Sequence, residues 1–183
     1  MPFIFENENL VLKQGDKSTT LSQIIKERKQ AFYLYDLSGI KVRAQSFLNS
    51  FQCNIKVHYS VNHPQILKAL LSEGLGVDVV SGGELEEALA AGFRPDQIIF
   101  SGVGKNEQEL ERAIKLSIKQ INVESPQELV RIGQIAARLN HSAAVAWRMN
   151  PDVSPETHPY IRTGFRENKF GMDPSFLPQL KSI

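Results

Sequence analysis

The chain has 183 residues, of which 42% are apolar and 22% are charged, and its formal net charge is +1. This balance is ordinary for a folded globular protein, and it gives no general attraction to nucleic acid or to an anionic membrane. The single cysteine, Cys53, excludes an internal disulfide, and no apolar run approaches the length of a membrane span. We therefore expect a cytoplasmic protein with no nucleic-acid partner, no membrane partner and no metal site.

The first 28 residues differ in pattern from the rest of the chain. Short apolar patches at residues 3–5 and 10–12 predict one or two strands of a separate layer, and residues 21–28 have the apolar spacing of a helix. We therefore divide the chain into an N-terminal segment, residues 1–28, and a main domain, residues 29–183.

From residue 31 onward, strand patterns and helix patterns alternate. The predicted strands cover residues 31–35, 56–61, 77–80, 97–100, 120–123 and 143–149, with a possible further strand at 169–171. The predicted helices cover residues 39–51, 84–91, 106–115, 126–139 and 174–180, and another opens at Pro64. Such alternation predicts an α/β fold with a parallel sheet and right-handed crossovers. Periodicity leaves both a (β/α)8 barrel and an open sheet possible.

Two glycine-rich loops follow consecutive predicted strands, at residues 81–83 and 101–104. In parallel α/β folds, the loops at the carboxyl ends of the strands carry the chemistry. The glycines serve either tight turns or backbone N–H groups that are left free for a ligand, often an anion. Their spacing matches neither the dinucleotide fingerprint nor the P-loop, so neither nucleotide fold is supported.

Several polar residues at strand ends are candidate site residues. Asp78 lies inside an apolar run, where a carboxylate is costly unless it is paired. Glu84 is either a second acid of the same loop or a carboxylate favoured by the start of the following helix. Arg148 ends a strand of alanine and valine, where a fixed guanidinium suits a carboxylate, and Asn150 is a similar but weaker candidate. Glu124 ends its strand either as a site carboxylate or as part of a helix cap.

Seven motifs stand in the order and at the spacings of a known family. They are FYLYDLSGI (residues 32–40), VDVVSGGELEEALAAGF (77–93), IIFSGVGK (98–105), INVES (121–125), RMNPDV (148–153), HPYIRTG (158–164) and KFGMD (169–173). Together they resemble the diaminopimelate decarboxylases. The resemblance implies a pyridoxal 5′-phosphate enzyme with a (β/α)8 barrel and a C-terminal β domain. Such an enzyme works as a homodimer and converts meso-diaminopimelate to L-lysine.

The resemblance also assigns roles to individual residues. Its cofactor-binding residues are Asp78, Glu84, Arg148 and Asn150. Its substrate or lid residues lie on a long loop and are His158, Tyr160, Arg162 and Thr163. The N-terminal segment corresponds to strands of the accessory β domain plus a helix. Decarboxylases of ornithine, arginine and carboxynorspermidine share the architecture, so the substrate stays open among these amino acids.

The chain departs from the family pattern in two places. The family's Schiff-base lysine follows the first barrel strand in a pattern like Tyr-Ala-Val-Lys-Ala-Asn. Here about three residues, the lysine included, are missing between Val61 and Asn62. The later barrel strands and the C-terminal β domain are also absent from the 183 residues, which predicts an incomplete barrel.

The missing lysine decides what we expect of this chain. We name no catalytic residue, and we expect the 183-residue chain neither to bind the cofactor covalently nor to decarboxylate a substrate. A catalytically inactive homologue that acts as a binding or regulatory protein is the alternative to an incomplete form of the enzyme.

Overall fold

The computed structural model describes residues 3–14, 16–26, 28, 30–60, 63–150, 171–176 and 178. Its strands are β1 (Phe3–Glu6), β2 (Asn9–Gln14), β3 (Lys17–Thr20), β4 (His58–Tyr59), β5 (Gly76–Val79), β6 (Ile98–Phe100), β7 (Gln120–Val123) and β8 (Val145–Trp147). Its helices are α1 (Leu21–Lys26), α2 (Leu37–Asn49), α3 (Pro64–Ser72), α4 (Gly82–Ala91), α5 (Glu107–Lys115) and α6 (Pro126–Leu139). The strands form one sheet of three and one sheet of five.

The N-terminal sheet is an antiparallel meander, in which β1 pairs with β2 and β2 pairs with β3. Helix α1 begins at Leu21, directly after β3. We predicted one or two strands here, and the third was missed because its sequence, KSTT, is polar and gives no apolar signal. The assignment of this segment to an accessory β domain stays a prediction.

The main sheet is parallel throughout, and its strands follow the order β4-β5-β6-β7-β8. Each new strand lies beside the previous one, so the described part of the sheet has no point at which the strand order reverses. A (β/α)8 barrel has this order, whereas a doubly wound sheet reverses. A parallel bridge between Met149 and Met172 adds a further strand position beside the extension of β8. The predicted α/β class, with parallel strands joined by crossover helices, is confirmed.

One face of the main sheet is buried against helices. The strand residues of this face are Val77, Val79, Ile98, Phe100, Ile121 and Val123, each at most 1% exposed. Helices α4, α5 and α6 add Leu85, Leu110, Ile114 and Ile132 to the same cluster. Burying one such side chain contributes about 1.5–3 kcal/mol relative to leaving it exposed. This layer therefore holds the carboxyl ends of β5, β6 and β7 in a fixed register.

Side-chain caps begin the three helices behind the sheet. Ser81, Asn106 and Ser125 each accept a hydrogen bond from the backbone N–H three residues further on, at the starts of α4, α5 and α6. Asn106 and Glu109 form a capping box at the start of α5. Glu109 also accepts the Gly82 N–H at 2.6 Å, which ties the loop after β5 to α5. The loop after β5 is thus fixed by a hydrogen bond to α5 as well as by the cap of α4.

The prediction of a buried strand over residues 31–35 is wrong. These residues have no strand partner among the described residues, and Phe32, Tyr33 and Tyr35 are exposed. Aromatic and apolar composition suits a strand, but a strand also needs a neighbour for its backbone N–H and C=O groups. Instead, Tyr33 stacks on Tyr35, with 6.2 Å between the ring centroids.

Two further predicted elements are described only in part. The strand predicted at residues 56–61 is reduced to β4, and Val61 and Asn62 lie outside the described residues. Of the helix predicted at residues 174–180, the described residues include a 3₁₀ turn over Pro174–Phe176 and Pro178, which is helical. The other residues of this segment lie outside the described part, so the helix stays a prediction.

Candidate active site

A cavity of about 490 Å³ opens at the carboxyl ends of β5, β6 and β7. It is lined by Ser60, Asp78, Val80, Ser101, Gly102, Asn122 and Arg148. Because side chains alternate along a strand, Asp78 and Asn122 leave the sheet on the face opposite to the buried valines and isoleucines. The structure therefore brings Asp78 and Arg148 together, two of the four residues that the resemblance assigned to the cofactor.

Asp78 is paired, as its apolar strand requires. The Ser101 hydroxyl donates to Asp78 Oδ1 at 2.6 Å. The Asn122 amide donates to Ser101 Oγ at 2.8 Å, and the Gln120 amide donates to Asn122 Oδ1 at 2.7 Å. The sequence alone does not reveal Ser101, Asn122 and Gln120, because the register between strands decides which side chains meet.

Glu124 holds Arg148 at the edge of the cavity. Arg148 Nη1 donates to Glu124 Oε1 at 2.9 Å, and the Glu124 side chain is only 6% exposed. The same carboxylate accepts the backbone N–H groups of Gly102 at 3.3 Å and Gly171 at 3.0 Å. Such charge-assisted bonds fix a guanidinium firmly. Since Ser125 provides the side-chain cap of α6, the geometry favours Glu124 as a site carboxylate.

Glu84 lies at a neighbouring cavity of about 450 Å³ rather than at that of Asp78. The second cavity is lined by Tyr35, Tyr59, Ser60, His63, Ile66, Val80 and Glu84. Ser60 and Val80 line both cavities, which therefore meet where β4 and β5 end. Glu84 stands in the first turn of α4 and accepts the Val80 N–H at 2.8 Å. It is thus both a helix-N-terminal carboxylate and the wall of a cavity.

Asn150 is buried, and it lines neither of these cavities. Its backbone N–H donates to the Met172 carbonyl at 2.8 Å, across the bridge that begins the next strand position. The residues assigned to substrate or lid, His158, Tyr160, Arg162 and Thr163, lie outside the described residues. Their roles stay predictions.

Lys105 is buried behind the first cavity, with a side chain that is 0% exposed. Its ammonium donates to the backbone carbonyls of Gly102 and of Asn122, the latter at 2.9 Å, and forms an ion pair with Glu128 at 3.0 Å. A lysine has three N–H donors, and here each has a partner. Lys105 therefore ties the loop after β6 to β7 and α6. Among the described residues, no lysine lines either cavity.

Within the described ranges, no three His, Cys, Asp or Glu side chains are grouped so that they could hold a metal ion. No helix in those ranges has the length and apolar character needed to cross a bilayer.

Known proteins resemble this chain in sequence and in fold. It is 43% identical to diaminopimelate decarboxylase of Aquifex aeolicus over 156 residues, which cover 81% of this chain and 37% of the relative. It is 52% identical to that of Vibrio cholerae over 107 residues, 58% of this chain and 26% of the relative. The crystal structure of the Helicobacter pylori enzyme complexed with L-lysine matches with a TM-score of 0.81 and 39% identity, over 87% of this chain and 41% of that one.

These relatives are much longer than the chain, which spans between 26% and 41% of their lengths. The family model described as "Pyridoxal-dependent decarboxylase, pyridoxal binding domain" matches residues 37–183. That match begins at α2 and includes the whole parallel sheet and the cavity with Asp78 and Arg148. The chain belongs to the pyridoxal-dependent decarboxylase family and carries residues of its pyridoxal binding domain.

Proposed function

We propose that the protein to which this chain belongs decarboxylates meso-diaminopimelate to L-lysine, with pyridoxal 5′-phosphate as its cofactor. Relatives at 42–52% identity are named diaminopimelate decarboxylase, and three of the similar solved structures are complexes of that enzyme with L-lysine. The observation that carries the proposal is that Asp78 and Arg148 line one cavity at the carboxyl ends of parallel strands.

The side chains of the cavity suit the polar edge of pyridoxal phosphate. Arg148, held by Glu124, offers a cation to a phenolic oxygen or to a carboxylate. Asp78 offers an anion, and Asn122 offers an amide. These groups bind and orient a small polar ligand, which fits an amino-acid substrate. The homodimer and the cytoplasmic location implied by the resemblance are part of the same proposal.

The cavity does not fit the aldehyde of the cofactor. Covalent attachment requires an uncharged lysine amine within reach of the ring. The described cavity residues include no lysine, and the three N–H donors of the buried Lys105 already have partners. The described residues therefore supply binding and orientation, and they supply no amine for a Schiff base.

This misfit favours a second candidate, a non-catalytic homologue that binds a ligand or regulates a partner. Its cavity would keep the binding groups Asp78 and Arg148 and lack covalent chemistry. The two candidates differ in one respect that can be tested, which is whether restoring a lysine after β4 restores attachment.

The test compares the chain with a variant that carries Lys-Ala-Asn inserted between Val61 and Asn62. Each is incubated with pyridoxal 5′-phosphate, reduced with borohydride and measured by intact mass, and carbon dioxide release from meso-diaminopimelate is assayed in parallel. We expect the unmodified chain to form no specific adduct and to release no carbon dioxide. We expect each molecule of the insertion variant to carry one adduct, on the inserted lysine. An insertion variant without an adduct would contradict a pyridoxal site in this cavity. A variant with Ala-Ala-Asn inserted controls for the added length.

A further inference from the structure

The hydrogen bonds around Asp78 form a single directed chain. It runs from Gln120 to Asn122, from Asn122 to Ser101 and from Ser101 to Asp78, with donor–acceptor distances of 2.7, 2.8 and 2.6 Å. The four side chains come from β7, from the end of β6 and from β5. Each is partly or fully withdrawn from solvent, where hydrogen bonds are stronger and an unpaired group is more costly.

The direction of this chain follows from the chemistry of its two ends. An ionised carboxylate only accepts, so the single Ser101 proton goes to Asp78. Ser101 Oγ must then accept from Asn122, which turns the Asn122 amide nitrogen toward Ser101 and its oxygen toward Gln120. Among the described residues, the Gln120 amide nitrogen donates to that oxygen. The orientation of all three donors therefore follows from the acceptor oxygen at Asp78.

Hydrogen bonds, rather than an ion pair, hold this charge. The ion pairs among the described residues of the site are Arg148 with Glu124 and Lys105 with Glu128, and neither includes Asp78. Burial limits solvation of the Asp78 carboxylate, so the Ser101 hydroxyl is the group that both stabilises and orients Oδ1. The second oxygen is left to the cavity that Asp78 lines.

We propose that Gln120, Asn122 and Ser101 are positioning residues, which fix Asp78 as a charged hydrogen-bond acceptor at the cavity. The inference rests on the proposed function, in which Asp78 faces the bound cofactor. Asn122 is the central member, because it contacts Ser101 and Gln120 and transmits the orientation without touching Asp78.

Exchanging the side chains at positions 78 and 122 tests the direction of these hydrogen bonds. In N122D, two carboxylates flank one hydroxyl proton, so one of them loses its donor, and we expect a clear drop in the thermal midpoint. In D78N, the new amide oxygen still accepts from Ser101, so we expect little loss. In the double variant D78N/N122D, every group regains a partner with the direction reversed: position 78 donates to Ser101, and Ser101 and Gln120 donate to position 122. We expect the double variant to recover more than half of the loss seen in N122D.

If Asp78 and Asn122 acted independently, the stability losses of D78N and N122D would add in the double variant. A double variant as unstable as N122D, or less stable, would overturn the directed chain. N106D provides a matched control, since Asn and Asp are equally good caps and the same chemical change at the start of α5 should leave the midpoint almost unchanged.

Measurements of pyridoxal 5′-phosphate binding distinguish a failure of this inference from a failure of the proposed function. With pyridoxal 5′-phosphate as the probe in equilibrium titration, we expect D78N and the double variant to bind at least tenfold more weakly than the chain, although the double variant has regained stability. Recovery of stability with equal binding in all variants would overturn the role of Asp78 toward the ligand. Recovery of stability with no binding by any variant would contradict the proposed function and leave the directed chain standing.

Discussion

The two faces of the parallel sheet carry opposite kinds of side chain, although they alternate along the same short strands. One face is apolar and sealed by α4, α5 and α6, and it includes Val77, Phe100 and Val123. The other is polar near the carboxyl ends and includes Asp78 and Asn122. The interior of a (β/α)8 barrel is usually filled by branched apolar residues. Here the stability comes from the outer layer, and the polar face is free to carry a site.

The polar face is ordered by its own hydrogen bonds and ion pairs rather than by packing. Ser101 holds Asp78, and Glu124 holds Arg148. Lys105 joins the two faces, because its ammonium binds Glu128 and two backbone carbonyls while lying 5.8 Å from the centroid of the Phe100 ring. We therefore expect truncation of apolar side chains on the sealed face to lower the free energy of unfolding most. We expect substitution of polar side chains to lower it in proportion to their burial.

The largest effect is expected from Phe100→Ala on the sealed face. Phe100 is 0% exposed, and a buried phenylalanine truncated to alanine loses about 3–5 kcal/mol of unfolding free energy through lost burial and a residual cavity. Denaturant unfolding measures the loss. Phe5→Ala on β1, where the ring is 78% exposed, is the matched control and should cost much less. Equal losses in the two variants would contradict the assignment of the core to this face.

The next effect is expected from Lys105→Met. The substitution removes the cation and leaves Glu128 buried without its partner, which costs about 3–5 kcal/mol for a buried pair. Adding Glu128→Gln should recover part of the loss, because the amide oxygen still accepts the Glu124 N–H and no charge remains buried. Lys115→Met, at an exposed ion pair with Glu111, should change the denaturation midpoint little. A double variant that is no more stable than Lys105→Met would contradict this account.

The sequence predicts the sealed face far better than the polar one. The start of α5 follows from its local cap and capping box, Asn106 and Glu109, and the alternation of strands and helices predicts the parallel order. Such signals are local, so one sequence contains them. Residues 31–35 show the limit, since their composition suits a strand but no neighbouring strand pairs with them among the described residues.

The site is only partly predictable for a related reason. Asp78 and Arg148 stand out because a charge in an apolar strand is unusual. Ser101 and Asn122 do not stand out, because their role depends on the register that sets them opposite one another. The sequence leaves Glu84 open between an acid of the same loop and a helix-N-terminal carboxylate; it stands in the first turn of α4 and faces a neighbouring cavity. Distances across strands cannot be read from spacing along the chain.

A smaller effect is expected from Glu124→Gln on the polar face. The amide keeps one acceptor for Arg148 but turns a donor toward the Gly171 N–H, which now lacks its acceptor. We expect a loss of about 1–2 kcal/mol, since Arg148 is partly exposed and its share is screened. Chemical denaturation measures the loss, and pyridoxal 5′-phosphate titration should show weaker binding. Glu86→Gln, at an exposed pair with Arg112, is the control, and an equal midpoint in the two variants would contradict a fixed Arg148.

The smallest effect is a dependence on pH that arises from His58 on β4. Burial lowers the pKa of His58 below its ordinary value, and the Lys119 ammonium, 3.2 Å from Nε2, lowers it further, while Asp78 acts in the opposite direction. Because the unfolded chain takes up a proton near pH 6.5 and the folded chain does so only at lower pH, folding stability falls as the pH drops below about 6.5.

His58→Gln should therefore lose less stability than the parent chain between pH 7 and pH 5.5, as measured by thermal midpoints across that range. Lys119→Gln removes only the second cause, so its slope should lie between those of the parent and His58→Gln. The exposed His141 provides the control, and His141→Gln should keep the slope of the parent. If His58→Gln also keeps that slope, His58 is not held in its neutral form at the edge of the sheet. The polar face would then tolerate a positive charge at β4 beside Lys119, which the short contact between the two nitrogens argues against.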